Sequence, residues 1–375
     1  MLEGFFQAYL AEYRPFKTYW NYEDGCILRG CRKLYDITGD VRCLDFVMDY
    51  LSPRVQEDGS IPTFLESKHC LDSFHCSKAL FLADAAEPHG KYARALRRHP
   101  GYLRLHPRTA EGLLWHKEMY PHQIWLDGLY MIMPFLAEYA VWSAEDAAAC
   151  NAELRRTFGF VRQYMREEET GLYRHGADRA MVQSWADPVT GLSASCWLRG
   201  MGWLLMALVD CIPLVQQTDG VLCEELKHML RQAVEDLLPY RNETGLFYHV
   251  VDQPEAAENY TETSGNAMIA YTLMQGAALE VLPAEQAQIG LQMLHTLCEN
   301  KLLQTDSGFA LGDICSSAGL GGATNRDGSC GYYCGEPRVQ NDPKGVGALM
   351  LACAAAGQWQ GCTVANHSAG NALGG

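Results

Sequence analysis

Hydrophobic residues recur every three or four positions through most of the chain, which is the spacing that places them on one face of an α-helix. In the window 223–238, for example, Leu226, Met229, Leu230 and Leu237 follow this spacing. Alternation of apolar and polar positions, the pattern of a half-buried strand, is scarce. The pattern therefore predicts an all-α protein.

The turns between the predicted helices share one theme: an acidic residue, a glycine, a leucine, an aromatic residue and then a histidine. Clear copies are E-G-L-L-W-H (111–116), E-T-G-L-Y-R-H (169–175) and E-T-G-L-F-Y-H (243–249), and weaker copies surround Gly59 and Gly308. The five glycines are separated by 53, 59, 74 and 63 residues. Two ordinary helices with their connections have this length, so each repeat is predicted to be a helical hairpin.

The 375 residues provide room for about six such hairpins. Hairpins with one uncovered apolar face either stack into an open array or close into a ring. An open array needs polar ends, whereas the segment 345–354 near the C-terminus is among the most apolar. We therefore expect a closed (α/α)6 barrel in residues 1–357, with its turns at one mouth. Residues 358–375 have few apolar side chains and are expected to form a disordered tail.

The charge and cysteine content exclude several other classes of protein. With 45 acidic and 30 basic residues the net charge is −15, which repels nucleic acids and anionic membranes. We found no basic leader and no apolar stretch of the roughly 18 residues that a membrane span needs. The 15 cysteines are odd in number and contain no C-x-x-C pair, so neither a disulfide framework nor a zinc site is indicated. We expect a cytoplasmic monomer or weak homo-oligomer without a cofactor.

The segment 115–136 contains the strongest candidate for catalysis, Asp127. Its neighbours Trp125, Leu126, Leu129 and Tyr130 are apolar, and desolvation among them would raise the pKa of the carboxyl group and keep it protonated near neutral pH. Proline is costly inside a helix, so Pro134 is expected in a first turn or at a kink, which puts Asp127 near a helix end. An equally good interpretation of Asp127 is a plain helix N-cap.

Other candidates have a structural alternative that is at least as good. Asp72 precedes a helical run and by itself is best interpreted as an N-cap. The segment W-L-R-G-M-G-W (197–203) offers two indoles and a guanidinium for a sugar acid, or else a tight helix contact with both indoles in the core. The aromatic turn around Tyr22 has the same ambiguity. In the repeated turns, the leucine and the aromatic residue could simply seal the hairpin, with the histidine bonded to a carbonyl.

Four motifs appear in order between positions 20 and 355: W-H-K-x-x-Y-P-H-Q-I-W-L-D-G-L-Y-M (115–131), S-W-A-D-P-x-T-G-L-S-x-x-x-W-L-R-G-M-G-W (184–203), T-E-T-S-G-N-A-M (261–268) and N-D-P-K-G-V-G-A (341–348). With these motifs the chain resembles the family 105 glycoside hydrolases, the unsaturated rhamnogalacturonyl hydrolases. The family 88 unsaturated glucuronyl hydrolases are more distantly similar.

The resemblance implies a six-hairpin toroid that uses no metal. It implies a substrate oligosaccharide whose non-reducing end is a 4,5-unsaturated uronic acid. Asp127 would protonate the double bond and then activate water. Asp72 would be the second acid, keeping Asp127 protonated by like-charge repulsion. The residues implied to bind the sugar ring and its carboxylate are His116, His175, Trp197, Arg199 and Trp203, together with Lys117 and Tyr22.

Two stretches depart from the family pattern. After Asp72 the sequence continues F-H-C (74–76) instead of a small polar turn, and the glycine-rich segment 316–333 contains Cys330 and Gly331 where bulkier residues are common. Three alternatives remain open at this point. They are an unsaturated glucuronyl hydrolase of the same chemistry, a sugar isomerase or epimerase that uses the histidines, and a non-catalytic toroid that binds glycans.

Overall fold

The computed structural model describes residues 2–306, 308–322, 324 and 326–371, with side chains as far as Gly357. The α-helices in these ranges are α1 (Leu2–Glu12), α2 (Tyr22–Thr38), α3 (Val41–Leu51), α4 (Asp72–Ser77), α5 (Ala79–Ala86), α6 (Lys91–Leu105), α7 (Leu126–Trp142), α8 (Ala147–Phe160), α9 (Leu198–Val215), α10 (Gly220–Leu237), α11 (Thr263–Ala278), α12 (Ala284–Asn300), α13 (Cys330–Gly335) and α14 (Pro343–Asn371).

Short strands form two-stranded antiparallel ribbons in the turns, and the first of these joins the turns of two successive hairpins. They are β1 (Gln123–Trp125) with β2 (Gly176–Asp178), β3 (Leu302–Thr305) with β4 (Gly308–Leu311), and β5 (Ile314–Cys315) with β6 (Arg338–Val339). Their shortness agrees with the scarcity of alternating patterns in the sequence. The class prediction of a mostly helical protein is confirmed.

Six helical segments form a closed inner ring. Each packs on the next in the order α2, α4 with α5, α7, α9, α11 and α14, and α14 then packs back against α2. The remaining long helices, α3, α6, α8, α10 and α12, lie outside, and α1 lies beside the turn of β4. The expected (α/α)6 barrel is therefore confirmed. Closure follows from the apolar segment 345–354, which lies in the inner helix α14.

The glycine of each repeated turn lies between an outer helix and the next inner one. Its φ is positive in every copy, at 82°, 85°, 72°, 82° and 125° for Gly59, Gly112, Gly171, Gly245 and Gly308. A side chain at such a φ costs energy, which explains why the repeat retains glycine. Because all five turns precede inner helices, they gather at the same end of the ring, here called the mouth.

These turns also cap the preceding inner helices. A carbonyl four or five residues after each glycine accepts a hydrogen bond from a backbone N–H at the start of the previous inner helix. The pairs are Thr63 with Trp20, His116 with Leu71, His175 with Leu126, His249 with Leu198 and Asp313 with Thr263, at 2.9–3.1 Å. The backbone of each hairpin thereby satisfies an N–H that a helix start leaves without a partner.

The barrel interior below the mouth is filled by side chains. Trp203 stacks on Tyr130 with 5.2 Å between ring centroids, and the Asp210 carboxylate accepts hydrogen bonds from Tyr130, Tyr271 and Arg29. The central helix α9 is long and apolar enough to cross a membrane, but 89% of it is buried in the ring. The expectation that no apolar stretch reaches about 18 residues is therefore wrong for α9. We interpret α9 as a core helix.

The cysteines of the described residues are free, and the sulfurs of Cys330 and Cys334 lie 3.7 Å apart. The proposed tail from 358 lies outside the described side chains, and residues 372–375 lie outside the described chain altogether. The boundary at Gly357 therefore stays a prediction.

Candidate active site

A cavity of about 600 Å³ opens at the mouth. The starts of α2, α4 and α7 form one side of it, and the glycine-rich loop after β5 contributes Ser317, Ala318 and Arg326. Its volume is typical of sites for small ligands. The predicted site residues that line it are Tyr22, Asp72, His116, Lys117 and Asp127.

Asp127 is the second residue of α7. The chain runs extended through Trp125 (φ −117°, ψ 147°), the N-cap, before the helix begins at Leu126. Asp127 is thus near a helix end, as expected, but it is not the N-cap, and Pro134 lies inside the helix rather than in its first turn. The position directs the carboxylate toward the mouth, at the helix end that favours negative charge.

A chain of hydrogen bonds links Asp127 to two buried residues. His175 Nε2 is 2.8 Å from Asp127 Oδ2, and His175 Nδ1 is 2.6 Å from the Tyr333 hydroxyl. The His175 side chain is fully buried, whereas 17% of the Asp127 side chain is exposed. One proton can lie on either Asp127 or His175, while Tyr333 donates to or accepts from the other nitrogen.

The expected increase in the pKa of Asp127 is wrong. Burial raises this pKa, but the charge and hydrogen bond of His175, followed by the charges of His116 and Arg199, outweigh burial and hold it below its usual value. Burial lowers the pKa of His116 to about 4, so that ring is neutral near pH 7 and attracts the carboxylate only in acid.

Asp72 lies at the start of α4, but the N-cap is Leu71, so the N-cap interpretation is wrong for Asp72 too. The Asp72 carboxylate is 2.5 Å from Lys117 Nζ and 3.8 Å from His116 Nε2. Burial alone would lower the pKa of Lys117, but the negative charge of Asp72 outweighs burial, and the pKa lies above its usual value. Lys117 thus neutralises Asp72, and repulsion by Asp72 is not among the main influences on the pKa of Asp127.

Three aromatic rings form a stack on the cavity wall. Trp125 lies 4.5 Å from the ring of His116 and 4.7 Å from that of Tyr120, at 24° and 21° between planes. Arg326 donates a 2.8 Å hydrogen bond to the Tyr120 hydroxyl. Such flat faces suit the C–H faces of a sugar ring.

Four predicted binding residues do not line the cavity. They are His175, Trp197, Arg199 and Trp203. Trp203 is the clearest correction, because it is only 2% exposed and packs in the core on Tyr130. Trp197 is 1% exposed and packs on His175 and Tyr333, so it supports the chain of hydrogen bonds from behind.

Arg199 also lies behind the cavity wall. Its Nη1 bonds the Cys315 carbonyl at 2.7 Å, the Ser264 hydroxyl at 3.2 Å and the buried Glu262 carboxylate at 3.4 Å. Only 2% of Arg199 is exposed. We conclude that the arginine acts on Asp127 through its charge and is held by Glu262, and that it does not present an unpaired cation in the cavity.

The sequence reasoning missed several residues. The sequence patterns assign no role in the site to Tyr120, Trp125, Tyr333 or Arg326. Arg326 could have been found, because it is the only basic residue in the segment 316–333. The described residues contain no group of three or more His, Cys, Asp or Glu arranged to hold a metal ion.

The fold and the cavity, with carboxylates, cations and stacked rings at the mouth of a six-hairpin toroid, define a carbohydrate-active enzyme of the (α/α)6 class. The sequence profile described as Glycosyl Hydrolase Family 88 matches residues 6–358. The chain therefore belongs to this family of glycoside hydrolases.

Several individual proteins are similar to this chain. The solved structure of a family 105 glycoside hydrolase from C. acetobutylicum superposes on this chain with a TM-score of 0.88. The two sequences are 33% identical, and the match covers 96% of this chain and 99% of that chain. The unsaturated rhamnogalacturonyl hydrolase YesR of Bacillus subtilis is 25% identical over 69% of this chain and 72% of its own. Protein Atu3128 of Agrobacterium fabrum is 41% identical over 49% of this chain and 81% of its own.

Proposed function

We propose that the protein removes a 4,5-unsaturated uronic acid from the non-reducing end of oligosaccharides left by a polysaccharide lyase. The observation that supports this most is the Asp127 carboxyl group, which lines a cavity with stacked rings and shares a hydrogen bond with buried His175. The double bond in such a sugar is an enol ether, and the difficult step is its protonation.

In the proposed reaction Asp127 donates a proton to C4, and positive charge develops at C5, where the ring oxygen shares it. Asp127, now ionised, accepts a proton from the water that adds at C5. The resulting hemiketal opens by breaking the C5–O5 bond, which leaves a ketone at C5 and a hemiacetal at C1. The hemiacetal collapses to an aldehyde at C1 and releases the remaining sugar as an alcohol, so one water is consumed for each glycosidic bond broken.

The lowered pKa of Asp127 sets a requirement for this mechanism. A carboxyl group that is ionised at rest needs a nearby source for the proton it donates. His175, at 2.8 Å, is placed to supply one, since a proton can pass along this hydrogen bond to the carboxylate. Asp72, paired with Lys117, would orient the substrate hydroxyl groups.

Among oligosaccharides that end in an unsaturated uronic acid, we propose that fragments of rhamnogalacturonan are the substrate. The support is the 25% identity with a relative named as an unsaturated rhamnogalacturonyl hydrolase. A panel of lyase-generated disaccharides with different reducing-end sugars, followed by loss of double-bond absorbance, tests this choice. Fastest turnover of a disaccharide from a glycosaminoglycan would contradict it.

The first prediction concerns Asp127→Asn, which keeps the shape of the side chain but cannot donate the proton. We expect kcat to fall by about 10³-fold, with KM within a few-fold, because general acid catalysis contributes this much. The measurement is the rate of absorbance loss at saturating disaccharide. Asp187→Asn, on an exposed turn, is the control and should keep full activity.

Full activity of Asp127→Asn would contradict the proposed mechanism. Unchanged double-bond absorbance together with conversion of a free saturated sugar by the wild type would indicate an isomerase instead. Tight binding of the disaccharide by the wild type without turnover would indicate a glycan-binding protein.

A further inference from the structure

The basic side chains that line the cavity differ in how they are paired. They are Lys17, Lys68, Lys117 and Arg326. Lys17 and Lys117 each lie 2.5 Å from a carboxylate, that of Glu23 and that of Asp72. Lys68 is exposed at the rim. Arg326 is half-buried, and no carboxylate of the described residues forms an ion pair with it.

The guanidinium of Arg326 is held in place by neutral acceptors. Nε donates to the Gly321 carbonyl at 2.8 Å, and Nη2 donates to the Tyr120 hydroxyl at 2.8 Å and to the Leu320 carbonyl at 3.3 Å. Within the described residues no hydrogen bond from Nη1 is found. Arginine has five N–H donors and no acceptor, so this edge of the group retains both charge and donors.

The glycines of the loop make room for this arrangement. A Cβ at Gly319 would lie 2.5 Å from Arg326 Nη1, and one at Gly322 would lie 3.2 Å from Nη2. Gly321 and Gly322 also have positive φ, at 60° and 80°. The glycine-rich composition of the loop therefore has a physical reason: the loop wraps around a guanidinium.

Arg326 is held beside the aromatic stack. Its Cζ lies 5.7 Å from the ring centroid of Tyr120 and 6.0 Å from that of Trp125. Trp125 directly precedes α7, with Asp127 two residues further along. One wall of the cavity thus combines a flat surface for a sugar ring, a proton donor and a cation with donors to spare.

We propose that Arg326 binds the carboxylate of the unsaturated uronic acid and is the main determinant of specificity for a charged sugar. The proposal rests on the proposed function and deepens it. A planar guanidinium matches a carboxylate with two parallel hydrogen bonds. Because this carboxylate is attached to C5, binding it also fixes the adjacent C4, the carbon that Asp127 protonates.

The test compares two substrates, an unsaturated disaccharide as the free acid and its uncharged methyl ester. In Arg326→Met we expect KM for the free acid to rise roughly 10- to 100-fold, because a charged hydrogen-bonded pair is lost. KM for the ester should change less than about threefold. Arg97→Met is the matched control, since that arginine lies on an outer helix over the Trp142 ring. Its ratio of KM for the acid to KM for the ester should equal the wild-type ratio.

A second variant tests whether an effect of Arg326→Met comes from a changed loop conformation instead of the lost guanidinium. Gly319→Ala keeps the arginine but adds a methyl group against Nη1, so KM for the free acid should rise in the same direction by a smaller factor. Thermal melting of both variants should match the wild type within a few degrees.

The outcomes separate this proposal from the proposed function. Suppose that the wild type hydrolyses the free acid. If Arg326→Met then has the wild-type KM for the free acid and the wild-type ratio of the KM values for acid and ester, the proposed role of Arg326 is wrong. The same holds if Lys68→Met abolishes the preference for the acid instead. If the wild type hydrolyses neither substrate, the proposed function itself fails.

Discussion

At the scale of single residues, the surroundings of Asp127 are set by parts of the chain far from it in sequence. Its sequence neighbours are apolar and predicted a raised pKa, but His175, 48 residues later, forms a hydrogen bond with it and reverses the direction. Sequence patterns describe neighbours within one or two helical turns. The partner that decides the pKa comes from the next hairpin, which no local pattern reveals.

Tyr333→Phe tests whether the hydroxyl on His175 Nδ1 positions the ring for proton transfer. Without this 2.6 Å contact, we expect kcat to fall about tenfold, with KM within twofold, since one buried hydrogen bond is lost. Steady-state kinetics on the best disaccharide measure both. Tyr173→Phe is the control, because its buried hydroxyl has no partner among the described residues. Equal kcat in Tyr333→Phe and wild type would contradict the role.

Lys78 gives a prediction about stability and pH. Burial, followed by the charge of Arg29, lowers the pKa of Lys78 to about 7. Between about pH 7 and 10 the unfolded chain therefore holds a proton that the folded protein lacks, so the free energy of unfolding rises with pH. Lys78→Met removes this contribution. We expect the increase from pH 7 to pH 9 to be smaller than in wild type by about 2 kcal/mol, as measured by urea unfolding.

A control separates Lys78 from other groups that titrate in this range. Lys227→Met changes a partly buried lysine on α10 that is paired with Glu224. Because this pairing raises the pKa of Lys227, the lysine stays protonated between pH 7 and 9, and its replacement should leave the wild-type pH dependence unchanged. An identical pH dependence in Lys78→Met and wild type would show that Lys78 is charged in the folded protein throughout.

At the scale of elements, the repeated turns were predictable and their purpose was not. The sequence revealed the glycines because the theme recurs, and all five have positive φ. It suggested roles for the histidine rings, whereas the feature common to all copies is a backbone carbonyl that caps the previous inner helix. A backbone hydrogen bond leaves no mark on residue identity. The break between α4 and α5 at Lys78 was likewise invisible.

Two glycines of the repeat allow strain and crowding to be separated. Both Gly171 and Gly245 have positive φ, at 72° and 82°, but a Cβ at Gly171 would lie 2.3 Å from Asp236 Cγ, whereas one at Gly245 would meet nothing within 4 Å. Gly245→Ala should cost about 1 kcal/mol from backbone strain alone. Gly171→Ala should cost about 3 kcal/mol, because a clash is added.

Urea unfolding of both variants measures the difference. Equal losses of stability would mean that Asp236 moves aside freely, although it is paired with Arg166 at 2.6 Å.

At the scale of the whole molecule, the sequence was sufficient to predict the closed ring of helices, and about half of the predicted site residues line the cavity. Tyr22, Asp72, His116, Lys117 and Asp127 line the cavity as proposed. Trp203 does not, because Trp197 is the N-cap of α9 and Trp203 lies in the helix, about 9 Å deeper at 1.5 Å per residue. The motif shows adjacency in sequence, whereas depth along a barrel helix depends on where the helix begins.

Ring closure gives the last prediction. Because α14 packs between α11 and α2, deleting residues 343–375 exposes both neighbours, and we expect no cooperative thermal transition. Deletion of residues 358–375 should leave both the melting temperature and the activity of the full chain unchanged. Loss of folding in the shorter deletion would show that the domain extends beyond Gly357.

The packed interior of the barrel determines how ligands reach and leave the site. Trp203, Tyr130 and Tyr271 fill the interior of the described barrel, so we expect ligands to enter and leave the cavity by the mouth. A polymer cannot thread past Asp127, and only its terminal unit reaches the bottom. For the proposed hydrolase we therefore expect removal of one end unit at a time, with each released acid diffusing out before another chain end enters.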